Sequence, residues 1–204
     1  MNTGTARRPR AYRQTARAEA AAETHRSIAE AFLALLRERW FEDVTLDEVA
    51  AGAGVTAQTV IRRYGGKDGL LEDLGRSLSR DFGERRATPA GDVRGAIRSL
   101  VEDYEAYGDL FIRLLAQEER QPALRSILAL GRREHAEWVA TVFAESLRSL
   151  PPTARRRRLD ALVAVTDVYT WRILRRDKGN SATVVAELIH ETATALADKP
   201  GGRK

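Results

Sequence analysis

The chain has 204 residues and no cysteine. This absence excludes disulfide scaffolds, thiolate zinc sites and iron–sulfur clusters, and it favours a cytoplasmic location. Long hydrophobic runs are also missing, since no apolar stretch approaches the roughly 20 residues that a membrane-spanning helix requires. The arginine-rich N-terminus is not followed by the apolar segment of a secretory signal. We therefore expect a soluble protein that is neither exported nor bound to a membrane.

Acidic residues are missing from residues 1–17, which carry five arginines. These arginines account for the whole net charge of +5. With few apolar side chains the segment cannot repay the entropy cost of folding, so we predict a flexible basic arm. Such an arm suits a polyanion such as DNA, because arginines on phosphates release condensed counterions. The alternative is a solvated tail that only improves solubility.

Apolar residues after residue 16 recur at helical spacing and almost never alternate, which predicts an all-α protein of about nine helices. The sequence Thr45-Leu46-Asp47-Glu48 marks the start of the second helix. It is a capping box, in which the Thr45 hydroxyl and the Glu48 carboxylate can satisfy backbone N–H groups. Glycines at Gly52 and Gly54 are expected to end this helix, and a third begins near Thr56.

Proline and glycine between residues 85 and 91 interrupt the helical pattern and divide the chain. Beyond this break we predict a short sixth helix that Gly108 separates from the fifth. A seventh helix is predicted from Pro122 to the Pro151-Pro152 pair, followed by an uninterrupted eighth helix over residues 153–177 and a ninth after it. The four consecutive arginines Arg155 to Arg158 are interpreted as the solvated start of the eighth helix.

The segment 45–64 has the proportions of a helix-turn-helix. Small or amide side chains occupy the start of its second helix, where a helix in the major groove meets base edges. Gln58 can pair with adenine, and methyl groups nearby can contact thymine methyls. Basic side chains follow where the DNA backbone is expected. The candidate DNA-binding residues are Thr45, Thr56, Ala57, Gln58, Thr59, Arg62, Arg63 and Lys67. Two short helices around a glycine turn are also common as plain structure.

Thirty-two contiguous residues, Trp40 to Leu71, carry a specific pattern. It contains a Val-Thr opening, an Ala-Gly-Val turn, an aromatic at Tyr64 and a Lys-Asp-x-Leu-Leu exit. The segment resembles the N-terminal DNA-binding motif of the tetracycline-repressor (TetR) family. The resemblance implies a homodimeric transcriptional regulator, usually a repressor, that a small molecule bound in the C-terminal domain releases from DNA.

The resemblance assigns roles to individual positions. Thr45 matches the residue that caps the second helix and commonly touches a phosphate, and Lys67 matches the lysine that fixes the DNA backbone. Gln58 lies where the family usually has glycine, so the operator preference should differ. Ile61 replaces a phosphate-binding tyrosine, and we expect Arg62 or Arg63 to take over that contact because guanidinium binds phosphate bidentately.

The second half of the chain has no catalytic constellation. The three histidines lie on different predicted helices without metal-ligand spacing, so we expect no metal, no cofactor and no enzymatic activity. Aromatic side chains are concentrated there and can line a small-molecule site, although each also fits a plain core. Asp167 interrupts an apolar run, where it can pair with Arg172 or with an inducer amine. The candidate ligand-binding residues are Tyr104, Tyr107, Phe111, His135, Trp138, Asp167 and Trp171.

The family forms its dimer through the eighth and ninth helices, as a four-helix bundle with the partner. The apolar candidates for this interface are Leu162, Val163, Thr166, Val184, Leu188 and Ile189. The predicted organisation is a flexible arm over residues 1–17, a helix-turn-helix domain over 18–66, a connecting helix over 67–86, a ligand-binding and dimerisation domain over 87–198, and a tail over 199–204.

The preferred hypothesis is a ligand-responsive repressor that binds a pseudopalindromic double-stranded operator as a dimer, with the fourth helix coupling the ligand to the DNA-reading heads. The alternative is a helical small-molecule-binding or enzymatic protein whose helix-turn-helix is only structural. A purely structural dimerisation module is disfavoured by the basic arm and by Gln58.

Overall fold

The computed structural model describes residues 10–89 and 91–198, with side chains from residue 17 onward. Across these residues the protein is all-helical, and no described residue lies in a strand. A 3-10 turn, Phe41–Asp43, precedes α2, and a π-helical turn, Ile173–Asp177, follows α9. The helices are α1 (Arg10–Glu38), α2 (Leu46–Gly52), α3 (Ala57–Tyr64), α4 (Lys67–Arg85), α5 (Val93–Leu115), α6 (Pro122–Val142), α7 (Ala144–Arg148), α8 (Pro152–Thr166), α9 (Val168–Arg172) and α10 (Ala182–Asp198).

The chain divides into two compact units, Met1–Leu74 and Gly75–Lys204, and α4 contributes residues to both. In the first unit, α1 places Ile28, Phe32 and Leu36 on one buried stripe at helical spacing. Apolar residues from the other helices close this core, and each is almost fully buried. They are Val49 of α2, Val60 of α3, and Leu70, Leu71 and Leu74 of α4.

The second unit is built around Trp171, whose side chain is completely buried. Its ring packs with residues of α5, α9 and α10, including Leu100, Tyr104 and Ile189. A further apolar cluster joins α6, α7, α8 and α10 and includes Val139 and Leu162.

Gly108 does not separate two helices, because α5 runs without a break from Val93 to Leu115. The predicted boundary between a fifth and a sixth helix is therefore wrong. A Cβ atom on Gly108 would lie 2.6 Å from Cη2 of Trp171. The glycine allows the indole ring to pack directly against the α5 backbone, so its role is close packing.

The later helices are more divided than predicted. The expected seventh helix is split into α6 and α7, and the expected eighth into α8, α9 and the π-helical turn. The second division occurs at Asp167, whose backbone is extended and whose side chain caps α9. At the other end, α1 already begins at Arg10. The rest of the predicted arm, residues 1–9, and the predicted tail, residues 199–204, lie outside the described residues.

The arginine run that begins α8 is only partly solvated. Arg155 donates hydrogen bonds to the carbonyls of Leu147 and Arg148, at 3.1 Å each, and so caps the end of α7. Arg158 donates to the carbonyl of Ala197 at 2.9 Å, which ties α8 to α10.

Five of the six predicted interface residues fall into two groups, and the sixth, Val163, is half-buried. Leu162, Thr166 and Ile189 are buried inside the second unit, which corrects their assignment to a surface that meets a partner. Val184 and Leu188 are 38% and 37% exposed on α10. These two are one helical turn apart, so they share a face.

Candidate functional site

The start of α2 is fixed by the predicted capping box. The Thr45 hydroxyl accepts a hydrogen bond from the Glu48 backbone N–H at 3.3 Å, and Thr45 N–H donates to Glu48 Oε2 at 3.0 Å. The same hydroxyl donates to Glu48 Oε2 at 2.8 Å, and Arg39 forms an ion pair with this carboxylate. The hydrogen bonds from Thr45, followed by the one from Arg39, lower the pKa of Glu48 to about 2. The Thr45 hydroxyl proton is thus already donated within the protein.

The second helix of the motif, α3, is held at both ends by local hydrogen bonds. Thr56 caps its start, since its hydroxyl accepts from the Thr59 backbone N–H at 3.3 Å and lies 3.0 Å from the Thr59 hydroxyl. Gly65 ends the helix in the left-handed conformation, with φ of 78°. α3 is therefore a short helix with both ends defined by local hydrogen bonds.

One face of α3 enters the core while the other is exposed. Val60 is completely buried. Gln58, Arg62 and Arg63 are exposed, whereas Ala57 and Thr59 are partly buried. Ile61 is also 42% exposed, although it is a large apolar residue. The structure thus brings an amide, an aliphatic side chain and two guanidinium groups together on one surface.

Lys67 has a different role from the one predicted. Its ammonium group donates to the carbonyls of Phe41, Glu42 and Val44 at 2.8, 3.2 and 2.9 Å. It also lies 4.6 Å from the centre of the Phe41 ring. Burial lowers the pKa of Lys67. All three N–H bonds of the ammonium are used, so the predicted phosphate contact is corrected to an internal one that holds the segment before α2.

In the second unit, two of the predicted ligand residues belong to the core. Tyr104 is buried and donates to the Thr166 carbonyl at 3.0 Å. Trp171 is completely buried and donates from Nε1 to Glu105 at 2.8 Å. Their assignment to a ligand site is therefore corrected to a packing role.

Asp167 does not pair with Arg172. Its carboxylate accepts from the Tyr169 backbone N–H at 2.8 Å and so caps α9. Burial raises the pKa of this carboxyl. The polar residue in the apolar run is thus explained by the start of a new helix.

The remaining predicted ligand residues lie on α5 and α6. Tyr107 and Phe111 are partly exposed, and both pack edge-on against the Phe82 ring. His135 Nε2 lies 3.0 Å from the Thr166 hydroxyl, and its ring stacks on Trp138. Because the Thr166 hydroxyl donates to the Leu162 carbonyl, it accepts from His135. Trp138 also borders a cleft of about 910 Å³.

Comparisons with known proteins agree with this geometry. The family model described as bacterial regulatory proteins of the tetR family matches residues 28–74. The HTH-type transcriptional regulator BetI of Burkholderia thailandensis is 29% identical over 166 residues, which cover 76% of this chain and 80% of that protein. BetI 1 of Chromohalobacter salexigens is 33% identical over 81 residues, which cover 38% of this chain and 40% of that protein.

Two solved structures share the fold. A TetR-family transcriptional regulator from Rhodococcus sp. has a TM-score of 0.66 at 18% identity, with 86% of this chain and 100% of that chain covered. A transcriptional regulator from Pseudomonas aeruginosa PAO1 has a TM-score of 0.68 at 13% identity, with 87% and 91% covered.

These findings support a regulator of the TetR family, whose model matches the helix-turn-helix segment of this chain. They favour a DNA-binding transcriptional regulator with a helix-turn-helix over the enzymatic alternative. Regulators of this family bind operator DNA and dimerise. Within the described residues, no helix combines the length and apolarity needed to cross a membrane, and no group of acidic and histidine side chains is arranged to hold a metal ion.

Sequence reasoning missed a chain of polar contacts in the DNA-binding unit. The Tyr64 hydroxyl at the end of α3 lies 2.8 Å from His25 Nδ1 on α1. His25 Nε2 is in turn 3.5 Å from Asp73 of α4. Three helices are thus connected through one imidazole ring. No local signal in the sequence identifies these polar contacts, because His25 and Tyr64 are 39 residues apart.

Sequence reasoning also missed a buried ion cluster in the second unit. Asp103, which is buried, accepts from Arg85 Nε at 2.8 Å and from Arg86 Nε at 2.6 Å. The Arg86 guanidinium lies 5.2 to 5.8 Å from the ring centres of Phe82, Tyr104 and Trp138. The sequence shows that Arg86 precedes the helix that carries Asp103, but it does not show that three aromatic rings surround the guanidinium.

Proposed function

We propose that the protein is a ligand-responsive repressor that binds a pseudopalindromic operator as a homodimer and is released from it by a small molecule. The observation that carries this proposal is the exposed face of α3, which presents Gln58 next to Arg62 and Arg63. A helix capped at both ends supplies the rigid element that base recognition requires.

In this proposal the start of α3 enters the major groove. Gln58 reads an adenine through its amide, and the methyl groups of Thr56, Ala57 and Thr59 approach thymine methyls. Arg62 and Arg63 bind phosphates and take the place of the tyrosine that Ile61 replaces. Thr45 can still contact a phosphate, if the phosphate replaces Glu48 as the acceptor of the Thr45 hydroxyl proton. Lys67 acts indirectly, by holding the segment that leads into α2.

The homodimer is proposed to form through α10 and the turn packed against it. Val184, Leu188, Ile173 and Tyr169 are each at least 37% exposed. The π-helical turn that contains Ile173 packs against α10. Large exposed apolar side chains on neighbouring elements are a feature of protein interfaces. Two-fold pairing would present two copies of α3 to two half-sites.

Release by a ligand requires that the ligand bind one conformation more tightly than the other. We assign the effector to the second unit, where Trp138 borders the cleft of about 910 Å³. The helix α4 begins in the DNA-binding unit and ends at Arg85, which belongs to the buried ion cluster of the second unit. A change in its setting is the proposed route from the effector to the spacing of the two reading heads.

The test is selection of bound sequences from random duplex DNA by the full chain. We expect an enriched motif with two-fold symmetry, whose affinity falls steeply with added salt. Replacing one phosphate-binding arginine, as in Arg63→Ala, should reduce the salt slope by about 1. Arg133→Ala, which removes an exposed arginine from α6, is the matched control and should leave the slope unchanged. A pool from which no sequence is enriched would refute the proposal.

A further inference from the structure

Arg86 has unused hydrogen-bond donors at the wall of the cleft in the second unit. Only 11% of its side chain is exposed, and its Nε donates to Asp103. Its two terminal NH2 groups make no hydrogen bond with any described residue. The guanidinium is planar and fork-shaped, which matches the two oxygens of a carboxylate.

The charge around Arg86 is not balanced. The buried Asp103 carboxylate is shared by two guanidinium groups, those of Arg85 and Arg86. One positive charge is therefore left over in this cluster. The same charge acts on the nearby imidazole, because burial and then Arg86 lower the pKa of His135 to about 4. The neutral His135 cannot add a second cation, so the excess corresponds to one anion.

Trp138 strengthens the donor excess beside Arg86. Its Nε1 is buried and has no hydrogen-bond partner. Its ring faces the Arg86 guanidinium at 5.6 Å, and both residues border the cleft. Unpaired buried donors are rare in folded proteins, and a group that accepts hydrogen bonds is what they lack.

The rest of the cleft is suited to an apolar body. Val93, Val142, Phe143 and Leu150 contribute to its lining. The other charged residues of the lining are two arginines and three carboxylates, and one of these carboxylates, Asp92, caps the Gly95 backbone N–H. The hydrogen-bond donors that lack an acceptor thus lie at the end where Arg86 and Trp138 meet.

We propose that this cleft binds a monoanionic organic acid, whose carboxylate pairs with the terminal NH2 groups of Arg86 and whose apolar body lies along Val142 and Phe143. This inference rests on the proposed function, since it names the chemical class of the effector. A dianionic phosphate ester would exceed the single positive charge that is available. A cationic ligand would face Arg86 directly and be repelled.

The first test compares octanoate with octanamide, a neutral molecule of nearly the same shape, by calorimetric titration of the full-length wild-type chain. Octanoate should bind at least about tenfold more tightly than the amide, since a charge-assisted bond is worth roughly twice a neutral one. Octylammonium should not bind. The indole N–H resonance of Trp138 should shift on addition of octanoate. Equal affinity for acid and amide, or no binding of octanoate, would overturn the proposal.

Two variants provide a matched pair, because each leaves Asp103 with one arginine. Arg86→Gln removes the donor at the cleft, whereas Arg85→Gln removes a guanidinium that does not border it. Preference for octanoate over octanamide should be lost in Arg86→Gln and kept in Arg85→Gln. Equal behaviour of the two variants would contradict the inference. If Arg86→Gln does not fold, the comparison of acid and amide on the wild-type chain remains decisive.

Failure of this inference can be told from failure of the proposed function. If the protein selects a symmetric operator and a neutral or cationic molecule releases it, the repressor proposal stands and the assignment of the effector class is wrong. If octanoate binds through Arg86 but the operator is retained at saturation, the anion site stands and its role as the effector site is wrong.

Discussion

At the scale of single residues, Lys67 determines how the segment before α2 is held. Three carbonyl oxygens from Phe41, Glu42 and Val44 converge on one ammonium group. These carbonyls are 23 to 26 residues distant in the chain. The lysine therefore closes a loop between the start of α4 and the turn that precedes the reading motif.

Lys67→Met should lower the stability of the DNA-binding unit by about 2 kcal/mol, because it leaves three partly buried acceptors without their charged donor. Arg62→Met should leave stability within about 0.5 kcal/mol, since Arg62 is exposed, but should weaken operator binding. Chemical denaturation and duplex titration of both variants measure the two effects. If Lys67→Met behaved like Arg62→Met, with normal stability and weak DNA binding, the result would favour a direct contact of Lys67 with a phosphate.

His135 makes the second unit sensitive to acid. Its pKa is about 4 in the folded protein against 6.5 ordinarily, because burial and then Arg86 disfavour the imidazolium. Above pH 6.5 the group is neutral in both states and contributes nothing. As the pH falls below 6.5, the unfolded chain takes up a proton that the folded chain does not, so stability decreases until about pH 4.

Between pH 7 and pH 5 this effect should cost about 2 kcal/mol of stability, and His135→Gln should remove most of the loss. Thermal unfolding at both pH values, with each variant in the same buffers, checks the expectation. Around pH 8 the stability of the variant should change with pH in the same way as that of the wild type. An undiminished loss between pH 7 and pH 5 in His135→Gln would show that other groups are responsible.

At the scale of helices, local signals were sufficient for the DNA-binding motif. The capping box at Thr45 and the start of α3 near Thr56 depend on side-chain chemistry within three residues, and both predictions are confirmed. The position of Lys67, in contrast, depends on acceptors more than twenty residues away. Long-range partners of this kind leave no periodic pattern in the sequence.

In the second unit the local rules gave the wrong result at two positions for one reason. Gly108 and Asp167 were interpreted as a helix breaker and as an ion-pair partner. The first is a packing contact for Trp171, and the second is a cap for α9. A single residue type serves several purposes, and only the tertiary neighbours decide which one applies.

Two helical glycines give opposite predictions. Gly108→Ala should destabilise the protein by about 2 kcal/mol, because the added methyl overlaps the buried Trp171 ring and outweighs the gain in helix propensity. Gly131→Ala in α6 should stabilise it by about 0.5 to 1 kcal/mol, since no atom lies within 4 Å of the new Cβ. Thermal unfolding of the two variants tests the pair. Stabilisation by both would mean that Trp171 can move aside.

At the scale of the whole molecule, the proposed dimer is what makes one short reading helix sufficient. A single α3 contacts only a few base pairs, so affinity and specificity depend on two copies acting together. The exposed apolar pair Val184 and Leu188 is the surface of α10 available for this purpose. A charge placed there should be tolerated by the folded chain but not by an apolar interface.

Leu188→Glu should therefore weaken dimerisation by about 100-fold or more, the cost of burying one unpaired charge at an interface. Sedimentation velocity over a concentration series measures the change, and Ser126→Glu, which adds the same charge to an exposed position of α6, is the control. Binding to a full operator should fall much more than binding to an isolated half-site, because the reading helix itself is unchanged. Were Leu188→Glu to sediment as a dimer like Ser126→Glu, the two copies would have to meet elsewhere, and α10 would lose its proposed role.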